Sequence, residues 1–301
     1  MKCIGLIGLG DMGSGLARNL IDAGYQTIGN DINQSRLRDF VVLGGEAAST
    51  VAEVGSRAEA VFVMVMSSDQ VQEVIFGEEG LASTMKRGSV IFITATISPK
   101  DVVAIGERLV GAGIDLIDSP VSGGFSGAQD GTLTLMTAAP KPLLERWRPV
   151  LMAISTNIEH VGTVVGQGQI VKACLQSMIG SVIAATCEAT VMAAKAGIAG
   201  QVIYDVFSKS SGGSSVGNAA LENIIDRNFT GTGSHINTMH KDLMIALGLA
   251  NELEVPLFTA ATAMQLFRAA RSQYPDGDNW AIAQMMEKLV GEELHRAGMD
   301  S

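Results

Sequence analysis

A glycine-rich segment near the start of the chain constrains the fold more than any other feature. Residues 2–7 form a short apolar run typical of a β-strand, and Gly8, Gly10 and Gly13 follow it with the spacing G-x-G-x-x-G. Apolar and small residues then recur at helical intervals from 12 to 20. The segment therefore predicts a strand, a tight glycine turn and a helix in direct succession.

This unit has the chemistry of a dinucleotide-binding site. Gly8 permits the turn, Gly10 lets a pyrophosphate approach the backbone, and Gly13 lets helix and strand pack closely. Asp31 ends a second strand-like run, where a carboxylate bonds the ribose 2′-hydroxyl and repels a 2′-phosphate, which favours NAD over NADP. The alternative, a chance spacing in a chain with 35 glycines, does not explain the flanking strands or Asp31. The predicted cofactor contacts here are Gly8, Leu9, Gly10, Asp11, Met12, Gly13 and Asp31.

Strand and helix signals continue to alternate after this unit. The apolar run 60–66 predicts a strand buried on both faces, and a Ser-Ser-Asp run follows it. Because ligands of doubly wound sheets bind outside the carboxyl ends of the strands, Met66 and Ser67 are predicted cofactor contacts. Thr96 lies at the end of another predicted strand. The Ser-Ser-Asp run could equally cap the next helix, and both interpretations can hold together. The glycine-dense stretch 125–131 is interpreted as a loop.

Only helical patterns follow residue 163. The segment 166–196 is dominated by small and apolar residues, so it predicts a buried helix at the centre of a second domain. Its uncharged part, 173–187, is too short to cross a bilayer. The predicted fold is α/β, with an N-terminal Rossmann-type doubly wound parallel sheet over 1–163 and an all-helical substrate and oligomerisation domain over 164–301.

Charge and composition exclude several classes of partner. The net charge is −10 and no block of lysines or arginines occurs, so neither nucleic acid nor a membrane is expected as a partner. Because the chain enters its first strand at once, we expect no signal peptide and a cytoplasmic protein. Three cysteines, Cys3, Cys174 and Cys187, show no metal-binding or disulfide spacing and are expected to be core thiols.

Two segments carry candidate substrate-binding or catalytic groups. Ser122, Gly123 and Gly124 offer a hydroxyl and successive backbone N–H groups that suit a carboxylate, although an ordinary glycine turn would look the same. Lys172 stands in the long apolar helix with Gln176 one turn later on the same face. Burial of an ammonium favours its neutral form, which proton transfer with a hydroxyl requires. A side chain that reaches out to solvent is the simpler alternative for this lysine.

A third segment is Lys241-Asp242, early in a predicted helix, for which a solvated helix face is the ordinary interpretation. His235 and His240 are five residues apart, a poor spacing for two ligands on one helix face. No metal site is predicted.

Four motifs in order make the chain resemble the β-hydroxyacid dehydrogenase family. They are GLIGLGDMGSGLARNL (5–20), DSPVSGG (118–124), GQGQIVKACLQ (166–176) and HKDL (240–243). The resemblance implies an active site between the two domains, a catalytic Lys172, a substrate carboxylate bound by Ser122, Gly123 and Gly124, and Lys241 in contact with cofactor and substrate. Met66, Ser67 and Thr96 match family cofactor contacts. Family members are commonly dimers or tetramers.

One position departs from the hydroxyisobutyrate branch of the family. That branch carries an asparagine three residues after the catalytic lysine, where this chain has Leu175. The departure points towards the threonate-like branch, with Gln176 as the neighbouring polar group. We therefore expect NAD-dependent oxidation of a small anionic hydroxy acid, with Lys172 as general acid and base. The alternatives are a reductase of a small aldehyde acid such as tartronate semialdehyde, a catalytically silent cofactor-binding scaffold, and a metal-dependent decarboxylating enzyme.

Overall fold

The computed structural model of the chain describes residues 2–297, and the chain divides into two compact units between Lys172 and Ala173. Residues 298–301 of the predicted second domain lie outside the described residues. Within residues 2–297, all strands belong to the first unit: β1 (Cys3–Ile7), β2 (Gln26–Asn30), β3 (Glu46–Ala47), β4 (Ala60–Val63), β5 (Val90–Ile93), β6 (Asp115–Asp118), β7 (Val121–Ser122), β8 (Thr134–Ala138) and β9 (Asn157–Gly162). Its helices are α1 (Asp11–Asp22), α2 (Gln34–Val42), α3 (Val51–Arg57), α4 (Ser68–Phe76), α5 (Leu81–Thr84), α6 (Pro99–Ala112), α7 (Gly124–Asp130) and α8 (Lys141–Ile154).

The strands form one sheet in the order β3-β2-β1-β4-β5-β6-β8-β7, with β9 paired to β8. The first six strands in this order are all parallel, and β1 pairs with β2 and β4 on its two sides. This order places the carboxyl ends of β2, β1, β4, β5 and β6 side by side along one edge of the sheet. The doubly wound parallel order is the one predicted from the glycine motif.

Alternating side chains bury both faces of the sheet. Phe62 and Phe92 stack on one face with ring centroids 4.5 Å apart, and Trp147 of α8 meets Phe92 edge-on. Their neighbours in β4 and β5 point to the opposite face and pack beneath α6. Continuous apolar runs in the central strands are therefore explained by burial on both sides.

Two local predictions for this unit were wrong. The strand predicted over 60–66 ends at Val63, because its pairing partners β1 and β5 end at Ile7 and Ile93. The segment predicted as a loop over 125–131 is mostly helix α7, which starts at Gly124 and packs against α1. There Asn19 donates its side-chain N–H to the carbonyl of Ala128.

Helix α9 (Gln167–Lys195) begins in the first unit and continues in the second. The second unit adds α10 (Gly200–Lys209), α11 (Ser215–Ile225), α12 (Ile236–Glu252), α13 (Phe258–Gln273) and α14 (Ala281–Val290). Its core is built from apolar faces of these helices, including Phe267 and Trp280. An N-terminal α/β domain followed by a helical domain is therefore confirmed.

The length argument for the long helix was wrong. At 29 residues α9 is long and apolar enough to cross a membrane, and only 39% of its most apolar 18-residue window is buried. The helix extends beyond the uncharged stretch at both ends, so that it includes Lys172, Glu188 and Lys195. Core helices of soluble proteins meet the same length and composition criteria, and the three charged side chains within the helix disfavour insertion into a bilayer. A buried helix was only partly the right expectation, since Met178 and Met192 are exposed.

Candidate active site

The carboxyl edge of the parallel sheet gathers the predicted cofactor contacts. Gly8 follows β1, Asp31 follows β2, Ser67 lies beyond β4 and Thr96 beyond β5. Since these strands are neighbours in the sheet, residues far apart in sequence come to one edge. Ligands of this architecture bind at that edge, where the chain connections diverge on either side of β1 and β4.

The three motif glycines meet different requirements. Gly8 has φ +91°, and a Cβ there would clash with the carbonyl of Met64. A Cβ on Gly13 would clash with the carbonyl of Gly8. A Cβ on Gly10 would meet only the Arg36 guanidinium, at an ordinary contact distance of 3.5 Å. Folding therefore requires glycine at 8 and 13, whereas at 10 the protein itself leaves room for something to approach.

The start of α1 fits a pyrophosphate. Gly10 is the N-cap residue and supplies no side-chain hydrogen bond to the first turn. A helix start whose N–H groups are not capped by a side chain binds anions well. The loop and helix thus fit the phosphates of a dinucleotide.

Asp31 is buried, with 6% of its surface exposed, and binds backbone N–H groups through both oxygens. Leu9 N donates to Oδ2 and Asn33 N to Oδ1, each at 2.7 Å. Arg36 lies 3.7 Å from the same carboxylate. The side chain therefore ties the glycine loop to the end of β2, and it lies where a ribose contact was predicted.

The residues after β4 include a helix cap. The Ser67 hydroxyl accepts from Gln70 N at 3.2 Å and caps α4, so the capping interpretation is confirmed. Met66 is 53% exposed, and its N–H donates to the Gln70 side chain. Contact of either residue with the cofactor stays a prediction, as it does for Thr96.

Lys172 is buried rather than extended into solvent. Only 6% of the Lys172 surface is exposed, and Nζ donates to the carbonyl of Val121 at 2.8 Å. The solvent-seeking alternative for this lysine was therefore wrong. The ammonium lies at the start of the 122–124 segment, where Gly123 and Gly124 have φ +134° and +64°. An added Cβ at Gly124 would meet nothing within 4 Å, so that backbone is open on one side.

Sequence reasoning missed a second function of the DSPVSGG motif. Asp118 is fully buried and its Oδ2 accepts from the N–H groups of Gly166, Gly168 and Gln169 at 2.9, 3.0 and 3.3 Å. Burial raises the pKa of the Asp118 carboxyl to about 6, while these donors lower it. The signal available in the sequence was an aspartate at the end of a buried strand.

In the second unit a buried carboxylate joins two predicted site residues. Asp242 is 2% exposed; its Oδ2 accepts from Gln176 Nε2 at 2.5 Å, and its Oδ1 lies 2.8 Å from Lys241 Nζ. A solvated helix face was therefore the wrong interpretation of the Lys-Asp pair. No local sequence pattern indicates this contact, because Gln176 lies 66 residues from Asp242.

Comparison with known proteins places this architecture in a family. Residues 3–162 match the model of the NAD-binding domain of 6-phosphogluconate dehydrogenase, and residues 166–286 match the NAD-binding model of NADP-dependent 3-hydroxyisobutyrate dehydrogenase. An L-threonate dehydrogenase from Escherichia coli O6:H1 is 33% identical over 289 residues, 95% of each chain. The 2-(hydroxymethyl)glutarate dehydrogenase of Eubacterium barkeri is 32% identical over 96% of each. A crystal structure of a 3-hydroxyisobutyrate dehydrogenase from Salmonella typhimurium superposes with a TM-score of 0.88, at 32% identity, over 95% of this chain and 100% of that one.

The chain belongs to the β-hydroxyacid dehydrogenase family. The predictions of an NAD-binding oxidoreductase and of a small hydroxy acid as its class of substrate are thereby confirmed.

The remaining candidates in this dehydrogenase do not form a metal site within residues 2–297. No group of three or more His, Cys, Asp or Glu side chains converges there. His235 lies 3.5 Å from Asp278, whereas His240 faces Arg271 at 3.5 Å. Burial and the neighbouring arginines lower the pKa of His240, and the same positive charge opposes a metal cation.

The expectation of three core thiols in this dehydrogenase was wrong for one residue. Cys187 is buried, which raises its pKa to about 12, but Cys174 is exposed and Cys3 is half-buried. Cys174 lies on the exposed side of α9, where helical periodicity turns it away from buried Lys172 and Ala173.

Proposed function

We propose that this family member oxidises a small polyhydroxylated acid of the threonate type reversibly, with NAD as hydride acceptor. The observation that carries the proposal is the buried Lys172 ammonium, 2.8 Å from the Val121 carbonyl at the start of the glycine loop. The relatives at 32% and 33% identity are named for hydroxy acids, one of them for L-threonate. Leu175, in place of the asparagine of the hydroxyisobutyrate branch, supports the threonate-like choice.

Lys172 is the proposed general acid and base. As the free amine it accepts the proton of the substrate hydroxyl during oxidation, and as the ammonium it returns that proton to the oxygen during reduction. The hydrogen bond to the Val121 carbonyl fixes the position of Nζ. Bound NAD supplies the hydride chemistry. The alternative is a reductase of a small aldehyde acid such as tartronate semialdehyde, whose product is glycerate and in which the Lys172 ammonium gives its proton to the aldehyde oxygen.

Substrate binding is assigned to the backbone of residues 122–124, to Gln176 and to Lys241. The backbone N–H groups of Ser122, Gly123 and Gly124 hold the carboxylate, and the space that a side chain at Gly124 would fill is open. Gln176, one turn along α9 from Lys172, and Lys241 orient substrate and cofactor. Asp242 fixes the geometry of both through its two oxygens.

Cofactor binding is assigned to the edge of the sheet. Gly8, Gly10 and Gly13 and the start of α1 hold the pyrophosphate, and Asp31 contacts the ribose and disfavours a 2′-phosphate. Further contacts are assigned to Leu9, Asp11, Met12, Met66, Ser67, Thr96 and Lys241. We assign residues 1–163 to cofactor binding and 164–301 to substrate binding and oligomerisation, in a cytoplasmic protein.

An exposed apolar stripe supports a homodimer or homotetramer. Val171, Met178 and Met192 recur at multiples of seven residues along α9 and are 37%, 59% and 72% exposed. A seven-residue repeat of apolar side chains on one helix face is typical of helix pairing between chains. Sedimentation should therefore give a mass well above the 31.4 kDa of the chain.

A substrate panel tests the function. Purified protein is given L-threonate, D-glycerate, L-serine or 3-hydroxyisobutyrate, each with NAD and with NADP, and NADH or NADPH formation is followed. We expect the fastest turnover with L-threonate and NAD. A preference for NADP would contradict the role of Asp31. If no acid reacts although NADH binds, the catalytically silent scaffold is the better account.

A further inference from the structure

Asp118 is a fully buried carboxylate whose charge is met by N–H dipoles. Three of its donors are the backbone groups of Gly166, Gly168 and Gln169 at the start of α9, and Gln169 Nε2 is the fourth, at 3.1 Å from Oδ1. The carboxylate therefore caps α9 from a strand 48 to 51 residues earlier in the chain.

Gln169 extends this cap to the neighbouring strand end. Its Nε2 also donates to the Ala95 carbonyl at 3.0 Å, and its Oε1 accepts from Ile97 N at 3.1 Å. The amide is 1% exposed and makes use of both ends, so its orientation is fixed. These two backbone contacts flank Thr96, which is a proposed cofactor contact.

Gly168 lets the two segments approach this closely. An added Cβ there would lie 2.6 Å from the Met136 carbonyl and 3.0 Å from the Asp118 carboxyl carbon. Any side chain would push α9 away from the sheet. The first turn of α9 is thus held by packing as well as by hydrogen bonds.

The cap joins the two segments that carry the hydrogen bond between Lys172 and Val121. Lys172 is three residues after Gln169 on α9, and Val121, its acceptor, is three residues after Asp118. Because one carboxylate anchors both segments, a shift of α9 against β6 would move Nζ relative to the 122–124 backbone. Displacements of about 1 Å in a catalytic site cost about 100-fold in rate.

We propose that Asp118 and Gln169 are positioning residues, which lock the start of α9 to the ends of β5 and β6 and so hold Lys172 in register for proton transfer. This inference rests on the proposed function of Lys172. Neither residue needs to touch the substrate.

The test compares Asp118→Asn and Gln169→Leu with Asp115→Asn, which makes the same substitution as the first at the other end of β6. Rates are measured with the acid that reacts fastest in the panel and are divided by the number of NADH-binding sites found by titration, so that unfolded protein does not count. We expect kcat to fall 10- to 100-fold in the first two variants, as misplacement of this size predicts. KM and the NADH dissociation constant should stay within about twofold, because substrate and pyrophosphate contacts remain.

Two outcomes would overturn the inference. One is an unchanged kcat per binding site in either variant; the other is a matched loss in Asp115→Asn. If Asp118→Asn does not fold, Gln169→Leu alone decides, since its backbone donors to Asp118 remain. Lys172→Ala is measured in parallel: if it keeps full turnover, the proposed function fails, whereas an inactive Lys172→Ala with a fully active Gln169→Leu rejects only the positioning role.

Discussion

Two buried aspartates, one in each unit, are held in opposite ways. Asp118 binds backbone N–H groups and one side-chain amide, whereas Asp242 binds a lysine ammonium and a side-chain amide. The first therefore fixes segments of main chain, and the second fixes two side chains. The difference teaches that the structural role of a buried carboxylate follows from its hydrogen-bond donors. Removal of the carboxylate would free main-chain segments in one case and side chains in the other.

The largest expected effect on stability distinguishes the buried carboxylate of Asp242 from a carboxylate on the surface. Asp242→Ala removes the acceptor of the buried Gln176 amide as well as the carboxylate beside Lys241, and it should lower the free energy of unfolding by about 3 kcal/mol. Asp226→Ala removes a carboxylate 2.6 Å from exposed Arg296 in the same unit, and it should cost less than about 1 kcal/mol. Urea unfolding measures both. Equal losses would contradict the distinction between buried and exposed pairs.

A pH dependence should single out the aspartate held by dipoles. Because the pKa of Asp118 rises from 3.8 to about 6 on folding, the folded state holds the proton more tightly, and Asp118 makes stability fall as pH rises through this window. Between pH 4.5 and 7 the wild-type protein should lose about 2 kcal/mol relative to Asp118→Asn, which has no such group. Urea unfolding of both proteins at the two pH values gives the difference. A gap that stays constant with pH would show that Asp118 does not titrate as proposed.

A smaller effect is expected at Asp31, whose carboxylate has both a structural and an electrostatic role. It binds the N–H groups of Leu9 and Asn33, and it carries the charge proposed to repel a 2′-phosphate. Asp31→Asn should lower the ratio of kcat/KM for NAD to that for NADP by about tenfold, which corresponds to about 1.4 kcal/mol. Asp39→Asn, on the exposed side of α2, serves as the control and should leave the ratio unchanged. An unchanged ratio in Asp31→Asn would limit that residue to its structural hydrogen bonds.

Local patterns predicted much of this molecule, and long-range contacts account for most of what they missed. The glycine spacing, the strand-end position of Asp31 and the helix cap at Ser67 follow from short-range rules, and the structure bears them out. The partners of Asp118 lie 48 to 51 residues away, so no local pattern indicates them. Helix α7 was missed because its glycines indicate a loop, although packing against α1 stabilises it.

In the candidate site, too, local patterns predicted some features and long-range contacts account for the rest. Residue types and spacing identified Lys172 as a candidate, but the residues around it alone favoured a solvent-exposed side chain. Its buried ammonium instead donates to the Val121 carbonyl, which lies 51 residues earlier in the chain. Tertiary hydrogen bonding, rather than local sequence, therefore distinguishes this buried lysine from a lysine on the surface.

Turnover of Lys172→Ala is the most direct test of the central claim. The variant is compared with Lys195→Ala, which makes the same substitution on the same helix at a side chain that is 57% exposed. Loss of a general acid and base should lower kcat of Lys172→Ala at least 100-fold, while its NADH dissociation constant stays within about twofold and Lys195→Ala remains fully active. Wild-type kcat in Lys172→Ala would contradict the account, because proton transfer would then not depend on this residue.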